Sequence, residues 1–131
     1  MTSPGAPLRT GPILLVEDEV AIQRLVQDTL EAEGHEVVAT GDGEDAFRAL
    51  ESMQPALILL DMRLPTMDGT EFVRRYLSDH PDDAAPVIMM TANRPEDGLP
   101  DGVAGYVAKP FDLDDFVATV GRVVRPGAAP G

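Results

Sequence analysis

The chain has no cysteine among its 131 residues. Disulfides, a thiol nucleophile and any cysteine-based zinc or iron–sulfur site are excluded at once. Positive charge is also scarce: ten Lys and Arg stand against 23 Asp and Glu, a formal net charge of −13. A nucleic-acid backbone or an anionic membrane surface calls for clustered Lys and Arg, so neither is expected as a partner. Lysine itself is nearly missing. Nine of the ten basic residues are arginine and only Lys109 is lysine, so one position keeps a compact ammonium on a flexible stem where the others use a planar fork. No apolar run approaches membrane-spanning length, and MTSPGAPLRTGP at the N-terminus has no apolar core of signal-peptide length. A cytoplasmic location is expected by default.

Among what is present, ALILLDMRLPTMDG (56–69) organises the rest. Ala56 to Leu60 are apolar without a break and stop at Asp61, the pattern of a strand buried on both faces in a parallel sheet. Leu64-Pro65 and then Asp68-Gly69 supply turns. In order along the chain, Pro12 to Val16 reads as a second such strand, ending in the acidic run Glu17-Asp18-Glu19. Ile22, Leu25, Val26 and Leu30 then recur at helical spacing, with Gly34 as the left-handed stop. Glu36 to Thr40 is a short strand, and Asp42-Gly43 opens a helix with Ala46, Phe47, Leu50 and Met53 on one stripe, closed by Pro55. Gly69 to about Asp79 is helical with Phe72, Val73, Tyr76 and Leu77 inward. Pro86 to Met90 is a fourth strand ending at Thr91-Ala92, and Gly105 to Ala108 a fifth ending at Lys109-Pro110. Asp112 caps a last helix carrying Leu113, Phe116, Val117, Val120 and Val124. Residues 1–11 and 126–131 read as a disordered arm and tail around one folded domain, 12–125.

Strand and helix alternate five times with one weak helix, which calls for a doubly wound parallel sheet with helices on both faces. All strands then point one way, and Glu17, Asp18, Asp61, Thr91 and Lys109 come to one edge, where open α/β sheets place their ligands. Three carboxylates brought together repel, and a divalent cation relieves them. An all-oxygen set points to Mg²⁺, with Mn²⁺ an alternative. The metal, the ammonium and a Thr hydroxyl make a cradle for a phosphoryl group, in which a carboxylate can act as nucleophile. Each residue also has a plainer reading, since Thr91 alone simply ends a strand and Tyr106 alone is a half-buried ring.

The segments LLVEDE (14–19), LILLDMRLPTMDG (57–69), MMTA (89–92) and GYVAKPF (105–111) together resemble the receiver domain of bacterial two-component response regulators. The resemblance runs from about Pro12 to Val124. It implies a flavodoxin-like sheet of strand order 2-1-3-4-5 and a stand-alone regulator phosphorylated by a sensor histidine kinase or histidine phosphotransfer protein. Asp61 is then the phosphoacceptor, and Asp18 holds Mg²⁺ directly. Glu17, where the family often has Asp, holds it through water, and the Arg63 carbonyl is a further ligand. Thr91 is the switch hydroxyl, Lys109 the cation, Tyr106 the aromatic that moves with the switch, and Pro110 follows a cis peptide bond. The downstream protein is not named by the sequence, and a homodimer is compatible with it.

Two other functions share these elements. A phosphohydrolase with an aspartyl nucleophile generally places a second Asp two residues on, where this chain has Arg63. A nucleotide or flavin module needs a Gly-rich loop after the first strand, where this chain has Glu17-Asp18-Glu19. The expectation is therefore a switch and not an enzyme. The chain departs from the family at NRPEDGLPDG (93–102), where a full helix is usual. Pro in a helix interior costs about 3 kcal/mol and Gly about 1, while burial of one side chain, Leu99, returns roughly 1.5–3 kcal/mol. The fourth helix is expected to be short or absent, with phosphorylation read out through this loop or through other helices. His35 and His80 are given no role.

Overall fold

The computed structural model describes residues 8–92 and 99–126. Its elements in chain order are β1 (Ile13–Val16), α1 (Val20–Ala32), β2 (Val37–Thr40), α2 (Gly43–Leu50), β3 (Leu57–Asp61), α3 (Gly69–Asp79), β4 (Val87–Thr91), β5 (Val103–Ala108) and α4 (Leu113–Gly121). The five strands form one parallel sheet of order β2-β1-β3-β4-β5.

Because side chains alternate across a strand, the sheet splits its apolar residues between two cores. Ile13 and Leu15 of β1, Leu57 and Leu59 of β3 and Met90 of β4 pack with Val26 and Leu30 of α1 and Phe116 and Val120 of α4. Leu14 and Val16, Ile58 and Leu60, and Val87 and Met89 face the other way, onto Ala46 of α2 and Phe72, Val73 and Tyr76 of α3. The unbroken apolar runs of β1 and β3 are thereby accounted for: every residue in them is buried.

Three helices begin at an Asp whose side chain accepts the N–H three residues on: Asp42 from Asp45, Asp68 from Glu71 and Asp112 from Asp115. Gly34, at φ 94°, ends α1 as expected. Several expectations shift. Leu25 is 44% exposed. At about 100° per residue it lies behind Ile22, whereas Val26 and Leu30 lie ahead of it and set the buried arc. Leu113 is likewise exposed, and Val124 is buried beyond the end of α4, in a bridge with Arg9. β5 starts two residues earlier than its glycine suggested.

The arm expected over 1–11 is placed from Leu8 on. The Arg9 N–H donates to the Val123 carbonyl at 3.0 Å, its carbonyl accepts from Arg125 N–H at 2.9 Å, and its Nε donates to the Ala56 carbonyl at 3.0 Å. A backbone bridge to the segment after α4 holds it, which composition does not reveal. Residues 1–7 and 127–131 lie outside the described residues, as do 93–98, on which the expectation of a short or absent helix falls. The described part of that segment, 99–102, is irregular and closes in a turn at Asp101-Gly102. Gly102 has φ +89°, and a Cβ there would collide with Leu77.

Candidate functional site: an acidic cluster at the carboxyl edge of the sheet

The ends of β1, β3, β4 and β5 bring the five sequence-singled residues to one edge. One carboxylate oxygen from each of Glu17, Asp18 and Asp61 lies within 4.8 Å of the others. Lys109 Nζ donates to Glu17 Oε1 at 2.8 Å and stands 3.5 Å from Asp61 Oδ1. Thr91 ends β4, half-buried, and its carbonyl accepts the Lys109 N–H at 2.8 Å. The Lys109–Pro110 peptide bond is cis. Tyr106 pairs with Met89 across β4 and β5 and is half-buried.

Glu17 and Asp18 are neighbours with opposite surroundings. Glu17 is fully buried and both its oxygens are engaged, Oε1 by Lys109 and Oε2 by the Glu19 N–H at 3.1 Å. The Glu17 carboxylate thus meets the lysine directly. Burial pushes the Glu17 carboxyl above its ordinary range; the Lys109 and Glu19 hydrogen bonds oppose this, and the Asp61 charge adds to it. Asp18 is exposed.

The turn after Asp61 is tightly closed. Met62 N–H donates to the Met90 carbonyl at 3.1 Å, Arg63 N–H to Asp61 Oδ1 at 3.1 Å, and Gly69 N–H back to the Met62 carbonyl at 2.9 Å. Arg63 and Asp68 form an antiparallel bridge between these points. A Cβ on Gly69 would stand 3.1 Å from both Met62 Cα and Met89 Cε, so Gly69 is needed for the close approach and not only for the turn.

This edge fits a hard divalent cation. Its donors are all oxygen, three carboxylates face one ammonium, and Asp18 opens the cluster to water. Sequence reasoning missed two residues that shape it. Gln23 Nε2 donates to the Glu17 and Thr40 carbonyls, both at 3.1 Å, and Thr40 Oγ1 donates to the Leu15 carbonyl at 2.8 Å. Neither has a local signal, since each partner comes from another element or an earlier turn of the chain. The histidines also have surroundings unseen in the sequence. His35 is buried with Nδ1 unbonded among the described residues, and burial lowers its pKa. His80 Nδ1 is 3.1 Å from Asp83 Oδ1 and its ring lies against Tyr76.

A five-stranded 2-1-3-4-5 sheet with an acidic cluster and a lysine at its carboxyl edge defines the class of CheY-like receiver folds. The match to known proteins makes it specific: the family model of the response regulator receiver domain covers residues 13–121, and the chain belongs to that family, the receiving module of two-component systems. It is 38% identical over 117 residues to the phosphate regulon transcriptional regulatory protein PhoB of Rhizobium meliloti, covering 86% of this chain and 52% of that protein. It is 36% identical over 125 residues to the transcriptional regulatory protein YkoG of Bacillus subtilis, covering 90% of this chain and 53% of the relative. The chain thus spans about half the length of these curated relatives. Among solved structures, CheY4 of Vibrio cholerae is similar at TM-score 0.80 and 27% identity, over 90% of this chain and all of that one (100%). The receiver domain of sensor histidine kinase PA1611 of Pseudomonas aeruginosa is similar at TM-score 0.77 and 31% identity, over 88% and 97% of the two chains, and was solved with a magnesium ion coordinated in its active site cleft. No described helix of this chain is long and apolar enough to cross a membrane.

Proposed function

We propose that this receiver accepts a phosphoryl group on Asp61 from a phosphohistidine of a histidine kinase or phosphotransfer protein, and that the aspartyl phosphate switches its shape. The observation that carries the reading is Asp61 at the end of the central strand, between an ammonium at 3.5 Å and two further carboxylates. Asp18, Asp61 and the Arg63 carbonyl would hold Mg²⁺, with Glu17 acting through water. The bound metal supplies charge neutralisation for the phosphoryl oxygens.

The steps assigned to the chain itself are few. The Arg63 N–H orients the Asp61 carboxylate through Oδ1, and the other oxygen attacks phosphorus. The new O–P bond forms as the P–N bond breaks, and the imidazole, protonated on its other ring nitrogen, leaves with the electron pair as neutral imidazole. Lys109 neutralises a phosphoryl oxygen, and the Thr91 hydroxyl donates to another. Thr91 moves inward to do so and Tyr106 follows. In this reading the chain catalyses at most its own phosphorylation and dephosphorylation. The net charge of −13 argues against a nucleic-acid partner for this chain. A cytoplasmic site of action accords with a kinase-fed receiver.

Incubation with acetyl phosphate and Mg²⁺ should add one phosphoryl group by intact mass, base-labile and mapped to Asp61. Asp61→Asn should fold and take up none. Equal uptake by the Asn variant would remove Asp61 as acceptor. Millimolar Mg²⁺ should also raise the melting temperature of the wild type, since it binds the folded cluster and not the unfolded chain.

A further inference from the structure

We propose that Gln23 is a positioning residue for the metal-holding face of the site, acting on Asp18 through the Glu17 carbonyl. The inference rests on the Mg²⁺ reading above. Among the described helices only α1 starts without a side-chain cap: Glu19 makes no such bond, where Asp42, Asp68 and Asp112 cap the other three. The acidic loop 17–19 therefore lacks the fastening that Asp gives elsewhere. Gln23, one turn into α1, reaches back and bridges the carbonyls of Glu17 and Thr40 at 3.1 Å each. Both partners can only accept, which settles that the amide nitrogen faces them and uses both its hydrogens. The carboxyl ends of β1 and β2 are joined by this amide, beside the Glu17 N–H to Thr40 carbonyl bond at 3.0 Å.

The Glu17 carbonyl lies in the same planar peptide unit as the Asp18 nitrogen. Holding that carbonyl holds the plane from which the Asp18 side chain departs. Glu17 has its own restraints, being buried and bonded at both oxygens. Asp18 has none: it is exposed, and no hydrogen bond or ion pair holds its carboxylate among the described residues. The ligand with the most freedom thus takes its direction from backbone, and the backbone takes it from Gln23. Groups that orient ligands in this way typically change metal affinity by about 10- to 100-fold when removed.

Isothermal titration with MgCl₂ tests this on the full chain. Gln23→Met keeps length and shape without donors, and Gln23→Asn keeps the donors but cannot span both carbonyls. Both should raise the Mg²⁺ dissociation constant about tenfold, the lower end of that range because the group acts through backbone. Gln27→Met, one turn further on, with its side chain bonded among the described residues to Glu31 alone, should leave it unaltered. A Gln23 that merely supports the fold would lower the metal-free melting temperature and leave the dissociation constant of the folded protein within about twofold of wild type; that result in either variant overturns the inference alone. A wild-type chain that takes up no Mg²⁺ overturns the metal reading and this inference with it.

Discussion

The two edges of the sheet are made from the same five strands, and they are finished in opposite ways. At the amino edge the loose backbone groups are paired. Ile13 N–H goes to the Glu36 carbonyl, Ala56 N–H to Pro12, and Ile58 N–H to Pro86, at 2.8, 2.8 and 3.0 Å. The Tyr76 hydroxyl accepts the Ala85 N–H at 2.7 Å, and Arg9 ties the segment after α4 to Ala56. At the carboxyl edge three carboxylates cluster and two of them share one ammonium; one of the three is wholly buried, and another, Asp18, faces water with no bond to its carboxylate among the described residues. A parallel sheet points all its strand ends one way, so one edge can be closed for stability while the other gathers charge. Changes at the amino edge should therefore act on stability alone, and changes at the carboxyl edge on metal and phosphoryl chemistry as well.

The largest effect that sharpens this contrast is Lys109→Met. Removing one partner of a fully buried ion pair costs about 3–5 kcal/mol. Here about 2–3 kcal/mol is expected at neutral pH without metal, because Glu17 can take up a proton instead. The folded pKa of Glu17 lies above its usual 4.5, so its contribution to stability is fully present below 4.5 and is lost as pH rises through the folded value. Deleting the lysine raises that folded value further. The cost should shrink as pH falls toward about 5, and Mg²⁺ should restore part of it at neutral pH. Urea melts of both proteins at the two pH values read this directly; equal costs at both would break the account of Glu17.

Tyr76→Phe is the matching change at the amino edge. It leaves the buried Ala85 N–H without its partner and should cost about 1–3 kcal/mol in chemical denaturation. The Mg²⁺ affinity and the phosphoryl uptake of the folded protein should be unchanged. A variant that loses metal affinity as well would show that the two edges are coupled.

The smallest effect is that of His35. Burial lowers its folded pKa below 6.5, so its contribution is present above 6.5 and is lost as pH falls through the folded value, where the unfolded chain already binds a proton. His35→Leu should flatten the stability slope below pH 6.5 by about 1 kcal/mol or less and leave the carboxyl edge alone. An identical slope in wild type and variant would mean that His35 takes up its proton alike in the folded and unfolded chain.

Much of this molecule could be read before its structure. The runs of β1 and β3, the helix starts at Asp42 and Asp112 and the strand-end residues were visible because each depends on neighbours within a few positions, whereas Asp68 read as a turn and proved to cap α3 as well. The limits appear where periodicity meets geometry. Leu25 fits a helical spacing and still faces water, since the buried arc is set by what α1 packs on. Arg9 sits in a stretch of Pro, Gly and small residues that reads as disordered, and it is held by a bridge to the far end of the chain.

The sequence by itself determined the alternation of strands and helices, hence the parallel sheet, and hence the arrival of Glu17, Asp18, Asp61, Thr91 and Lys109 at one edge. Apolar runs, turns and caps act over single turns and strands, so their pattern suffices for that. Only the tertiary structure decided which of these groups touch. Lys109 meets Glu17 more closely than Asp61 across 92 positions of sequence, and Gln23 meets Thr40 across 17. Such pairs follow from strand register and from the few tenths of an ångström that packing leaves to each side chain, and no local pattern encodes those.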